Sequence, residues 1–142
     1  MPAAEKPSLL ARREAVIREH VDAENSGDVD ATIASFHRPR YDIVAIGAVS
    51  DGEAAVRQLI GDLVQGFPDF HFEPLKMNHA EHAVFVEGRI TGTHRGAWGG
   101  LQPRGKKMDV RVACVFDFEE DRLINETVYF DFATIQRQLT EA

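Results

Sequence analysis

Between Lys106 and Phe118 the chain alternates with little interruption. Met108, Val110, Val112, Cys114, Phe116 and Phe118 occupy every second position, and Lys107, Asp109, Arg111 and Asp117 fall between them. A two-residue period sends successive side chains to opposite faces of an extended strand, whereas a helix would scatter these residues around its axis. The segment therefore predicts a long strand with one covered face, and a covered face needs other elements packed on it.

Those elements precede it. From Ser8 to Glu24 the spacing is helical, with Leu10, Ile17 and Val21 on one stripe and Arg12, Arg13, Arg18 and Glu19 on the wet side. Asn25-Ser26-Gly27 stops this helix, and Asp28 can cap a second, carrying Val29, Ile33 and Phe36. Tyr41 to Ile46 reads as a short strand. Ser50 and Glu53 have capping-box spacing for a third helix, with Val56, Leu59, Ile60 and Leu63 as its stripe. Near Phe67 the period changes from 3.6 to 2. Phe70–Met77, Ala83–His94, Lys106–Phe118 and Leu123–Asp131 then read as strands, and a final helix carries Ile135 and Leu139. Helices followed by a run of antiparallel strands predict an α+β fold, with the helices gathered on one face of the sheet. A βαβ nucleotide-binding sheet does not fit this order.

Composition narrows the partners. At 142 residues the chain is expected to be a single domain over 1–142, with residues 1–7 and their two prolines as a mobile lead-in. Lys and Arg number 16 against 23 Asp and Glu, a formal charge of -7. A chain that coats nucleic acid or an anionic membrane needs the opposite sign, so neither partner is expected. The single cysteine, Cys114, can form neither an internal disulfide nor a cysteine zinc site. No stretch has the apolar length of a signal peptide or a membrane span, so the expectation is a cytoplasmic protein.

Several short motifs stand in a telling order: Gly66-Phe67-Pro68-Asp69, then Gly92-Thr93-His94-Arg95-Gly96, then Gly99 to Lys106, and finally Tyr129-Phe130-Asp131 with Gln138-Leu139. Together they resemble the SnoaL-like polyketide cyclase (ester cyclase) family over roughly residues 9–140. The resemblance implies a nuclear-transport-factor-2-like fold, a cone-shaped curved antiparallel sheet wrapped around N-terminal helices to enclose an apolar cavity. It also implies cofactor-free closure of a ring in a polyketide by intramolecular aldol condensation, with an aspartate matching Asp131 as acid/base. Where many members carry a His-Asp-Pro-like stretch, this chain has Tyr41-Asp42-Ile43-Val44-Ala45-Ile46.

Period-2 counting puts Asn125, Thr127, Tyr129 and Asp131 on one face of the last strand, and Ile124, Val128 and Phe130 on the other. Facing an apolar cone, Asp131 would be desolvated and its pKa raised, which suits proton abstraction beside a carbonyl. Its other reading is a cap for the terminal helix. His94, in phase with Val84, Val86, Ile90 and Gly92, either faces a substrate oxygen or is a hydrogen-bonded core histidine that fixes the following loop. Trp98, in the glycine-rich loop Arg95–Gly105, either closes the cavity mouth or packs at a subunit interface.

The expected catalytic residues are thus Asp131 and His94, and the expected substrate contacts Trp98, Tyr129, Thr127 and Asn125. No metal, nucleotide or flavin motif is present. His79, Glu81 and His82 share a turn that reads as solvated, and His20, His37 and His71 are scattered. Cys114 reads as a small buried apolar residue. The function expected is proton-transfer chemistry on a small, largely apolar carbonyl compound. The alternatives are a hydrolase, dehydratase or hydroxylase using the same cavity, or a ligand-binding module without catalysis. Two apolar faces in the last strands, one of which the helices cannot cover, predict a homodimer through the outer face of the sheet.

Overall fold

A computed structural model describes residues 5–141. The expected lead-in over 1–7 lies in part outside the described residues. The elements are α1 (Leu9–Asn25), α2 (Val29–Ala34), β1 (Arg40–Ile43), β2 (Ala48–Asp51), α3 (Glu53–Gly66), β3 (His71–His79), β4 (Ala83–Thr93), β5 (Lys107–Glu119), β6 (Arg122–Tyr129) and α4 (Phe132–Thr140). The six strands form one sheet in the order β2-β1-β6-β5-β4-β3. This is the expected α+β fold, a curved open sheet with helices packed on it.

The long strand reads as the alternation demands. In β5, Met108, Val110, Val112, Cys114, Phe116 and Phe118 are all buried, and pairing with β4 places Val86 opposite Cys114 and Val84 opposite Phe116. Ile17 and Val21 of α1, Val56 and Ile60 of α3, and Ile135 and Leu139 of α4 complete the same core. Register shifts at Pro74/Lys76 in β3 and at Asp117/Phe118 in β5 each break the ladder. Such irregularities bend a strand and increase its twist. Gly88 in β4 is required by a close approach. A Cβ there would lie 2.4 Å from the Phe72 ring.

Four local expectations fail for physical reasons. The strand expected over Tyr41–Ile46 ends at Ile43, because a 3-10 turn at Val44–Ile46, closed by Gly47 at φ 63°, reverses the chain into β2. Ser50 therefore stands in a ladder opposite Tyr41, and α3 starts after Gly52 without a side-chain cap. One strand pair, β1 with β6, is parallel. Finally, Arg13 is buried, and Leu10 is exposed. The Arg13 guanidinium donates to Glu120 O at 2.6 Å and Glu81 O at 2.9 Å, and it sits over the Phe118 ring. It ties together the turns that close β3–β4 and β5–β6.

Candidate active site

Beyond the buried Arg13, helix α1 turns two further polar residues inward. His20 and Glu24 are four apart, so they project from one face. Beside them, β1 and β6 pair in parallel with Tyr41 opposite Glu126. Four polar side chains from three elements thus converge inside an apolar core. His20, Tyr41 and Glu126 are buried.

The contacts are tight. His20 Nε2 lies 2.8 Å from Glu126 Oε1 and 3.0 Å from Glu24 Oε1. The Tyr41 hydroxyl is 3.1 Å from the same nitrogen and donates to Glu24 Oε2 at 3.3 Å. On the other side of the ring, His20 Nδ1 meets Ser35 Oγ at 2.7 Å. Phe36 and Phe116 press edge-on against the imidazole.

Burial sets the electrostatics. Desolvation pulls the His20 pKa down, but the charge of Glu24 and the hydrogen bonds to Glu126 and Glu24 overcome it and push it up to about 10. Glu126 is raised by burial and by the charge of Glu24, with His20 opposing both. Burial together with the two carboxylates also raises Tyr41 and Cys114. His20 and Glu126, both raised and in direct contact, hold a proton between them, and their titration belongs to the pair. The ligand-type atoms of His20, Glu24 and Glu126 all lie within 4.8 Å of one another, the spacing a metal ion would require. A hydrogen on Nε2 reaches the same two carboxylates, at 2.8 and 3.0 Å.

Above this cluster opens a cavity of about 120 Å³. Glu24, Tyr41 and Glu126 form its polar patch, and Leu59, Leu63, Phe72, Ile90, Met108, Val128 and Ile135 are among its apolar walls. Ile46, an exposed member of the lining, marks the side that meets solvent.

The residues expected from sequence are distributed differently. Trp98 lines the cavity, edge-on to Phe67 and Phe132. Asp131 does not line it. Its exposed carboxylate caps α4, accepting from Ala133 N and Thr134 N, and from Thr134 Oγ1 at 2.7 Å. The Thr134 hydroxyl, with those backbone donors, holds its pKa below the ordinary value, the reverse of the desolvated base expected. His94 is fully buried, stacked on Phe67 at 5.3 Å, and is not part of the cavity wall. Among the described residues neither of its ring nitrogens has a hydrogen-bond partner, so the hydrogen-bonded core histidine is not found either.

Asn125, Thr127 and Tyr129 lie on the opposite face of β6 from Glu126. The Asn125 amide donates to Asp117 and to Thr127 Oγ1 and accepts from Arg40, and Tyr129 is exposed. The face of β6 that looks into the cavity is thus the opposite of the one expected. The inner face of β6 carries Glu126 and Val128, with Phe130 following.

The model of the family described as SnoaL-like polyketide cyclase matches residues 14–139. The chain belongs to the SnoaL-like polyketide cyclase family. Solved structures agree on the fold. A proposed SnoaL-like polyketide cyclase from Jannaschia sp. CCS1 superposes with a TM-score of 0.85 at 16% identity, over 99% of both chains. A proposed polyketide cyclase from Xanthomonas campestris pv. campestris gives 0.84 at 18%, over 94% of this chain and 100% of its own. AclR, a proposed hydroxylase from Streptomyces galilaeus, gives 0.77 at 20%, over 93% and 83%. No curated protein matches the chain. Within the SnoaL-like frame, the His20–Glu24–Tyr41–Glu126 cluster was missed by the sequence reading. Two signals were available: a His and a Glu one turn apart beside the Ile17–Val21 stripe, and a Glu in phase with Val128 and Phe130.

Proposed function

We propose that this SnoaL-like protein is a cofactor-free enzyme that moves protons on a small, uncharged, largely apolar carbonyl compound, with aldol-type ring closure as its reaction. The observation that carries this reading is the pair of carboxylates, Glu24 and Glu126, opening with Tyr41 into an otherwise apolar cavity. A carboxylate out of bulk water is a stronger base toward carbon than one in solvent, and proton transfer of this kind is worth about 10²–10⁴-fold.

In the reaction, Glu126 takes a proton from the carbon beside a carbonyl. The Tyr41 hydroxyl donates a hydrogen bond to the carbonyl oxygen as it becomes an enolate. The enolate carbon attacks a second carbonyl of the same molecule, and the new alkoxide recovers the proton from the carboxyl group. The apolar walls fold the substrate so that both carbons meet. A cavity of about 120 Å³ compares with the ~150 Å³ that holds benzene, so the buried part of the substrate is about one ring in size.

The test is solvent exchange. Neutral single-ring 1,3-dicarbonyl compounds incubated in deuterium oxide with the protein should lose their α-proton NMR signals faster than in buffer. No acceleration with any member of such a series would contradict the reading.

The outer face of the sheet carries Phe85, Val115 and Tyr129, and Phe85 and Tyr129 are largely exposed. Arg89, Asp109, Glu87 and Arg111 flank them with both signs of charge. A face of mixed sign around an apolar strip complements a second copy of itself, and we propose it as a homodimer interface.

A further inference from the structure

Ser35 closes α2, where backbone carbonyls run out of partners. Its hydroxyl donates to Thr32 O at 2.5 Å, and Phe36 N, the next amide, turns to Ile33 O. A carbonyl oxygen carries no hydrogen, and two oxygens 2.5 Å apart repel unless one lies between them, so this spacing directs the Ser35 hydrogen to Thr32. The oxygen has only lone pairs left for its other contact, His20 Nδ1 at 2.7 Å. That contact must use a hydrogen carried by the ring.

We infer that Ser35 is a positioning residue that keeps Nδ1 of His20 protonated in every state of the site, leaving Nε2 as the sole exchangeable position. Nε2 is the atom that faces Glu126 Oε1 and Glu24 Oε1. A proton can then pass between imidazole and carboxylates along hydrogen bonds already formed, without a ring flip or a change of tautomer. An imidazole whose distal nitrogen is fixed by a hydrogen bond has its tautomer set by that bond. Thr32 Oγ1 donates to Asp28 O and Asp28 caps α2, so the anchor is tied into the helix.

This inference rests on the proton-transfer reading for its purpose, but its test does not depend on activity. Long-range proton–nitrogen NMR on protein labelled at histidine nitrogen reports each ring nitrogen separately, and loss of one signal set in His20→Gln assigns His20. As pH rises through the titration of His20 (faced by Glu24 from α1, Glu126 from β6 and Tyr41 from β1, with Cys114 of β5 beside Glu126), Nδ1 should stay protonated and Nε2 alone should lose its hydrogen. Deprotonation at Nδ1 overturns the inference.

In Ser35→Ala the neutral ring should become a mixture of tautomers, and Ser35→Thr should restore the single form. With one hydrogen bond lost, exchange activity in Ser35→Ala should fall about five- to tenfold with an altered pH profile. The wild-type spectrum decides the matter if Ser35→Ala does not fold. If the spectrum is as expected and no compound exchanges, the proton-transfer reading fails while the role of Ser35 stands.

Discussion

Tyr41 stands opposite Glu126 in the parallel ladder between β1 and β6. That pairing sets a phenol beside a carboxylate on the inner face of the sheet, at the point where α1 lays His20 and Glu24 across them. The geometry of the cluster follows from this crossing of one helix over one strand pair.

The shared proton couples the site to folding. The native His20 pKa of about 10 exceeds the ordinary 6.5, so the folded state holds more protons than the unfolded state across that interval. The stability this group contributes then falls as pH rises from 6.5 to 10, being fully present below it. Tyr41 and Cys114, raised above 10.0 and 9.0 by burial, add to the decline at its upper end with the same sign. Thermal unfolding midpoints should drop steadily from pH 7 to pH 10. A level or rising midpoint would show that no extra proton is held.

Much of the fold was legible because periodicity encodes which face is buried. The alternation in β5 marks its buried face, and the stripe of α3 marks the side that packs on the core, with Val56 and Ile60 buried and Leu59 and Leu63 partly so. The site was less legible because alternation separates two faces without saying which one looks inward. In β6 the Tyr129–Asp131 resemblance favoured the wrong face. Glu126, on the face with Val128, was hidden because a charged residue reads as solvent-facing until its partners are known. Those partners, His20, Glu24 and Tyr41, come from distant segments that only the tertiary fold joins. Arg13 misled in the same way: its buried charge is met by carbonyls of two turns that lie far along the chain.

Ligand entry should be visible in fluorescence. Trp98 is the single tryptophan and lines the cavity, so an occupant changes its emission. An anion placed beside Glu24 and Glu126 meets like charge in an apolar setting, which costs several kcal/mol. Acetophenone, neutral and one ring in size, should shift Trp98 emission saturably. Benzoate should bind at least about tenfold more weakly. Equal binding would place the occupant away from the carboxylates.

Self-association through the outer sheet face depends on Phe85 and Tyr129. Light scattering on wild-type protein at micromolar concentration should give twice the chain mass, and Phe85→Glu with Tyr129→Glu should give the monomer mass. A wild-type monomer, or a dimer untouched by both substitutions, would contradict the interface.

The most direct test compares two carboxylates in the same deuterium-exchange assay. Glu126→Gln keeps the shape and an acceptor for His20 but removes the base, and the rate should fall about 10²–10⁴-fold. Asp131→Asn exchanges one good helix cap for another and should leave both rate and stability near wild type. Full activity in Glu126→Gln together with a collapsed rate in Asp131→Asn would return the chemistry to the end of β6 and overturn the account.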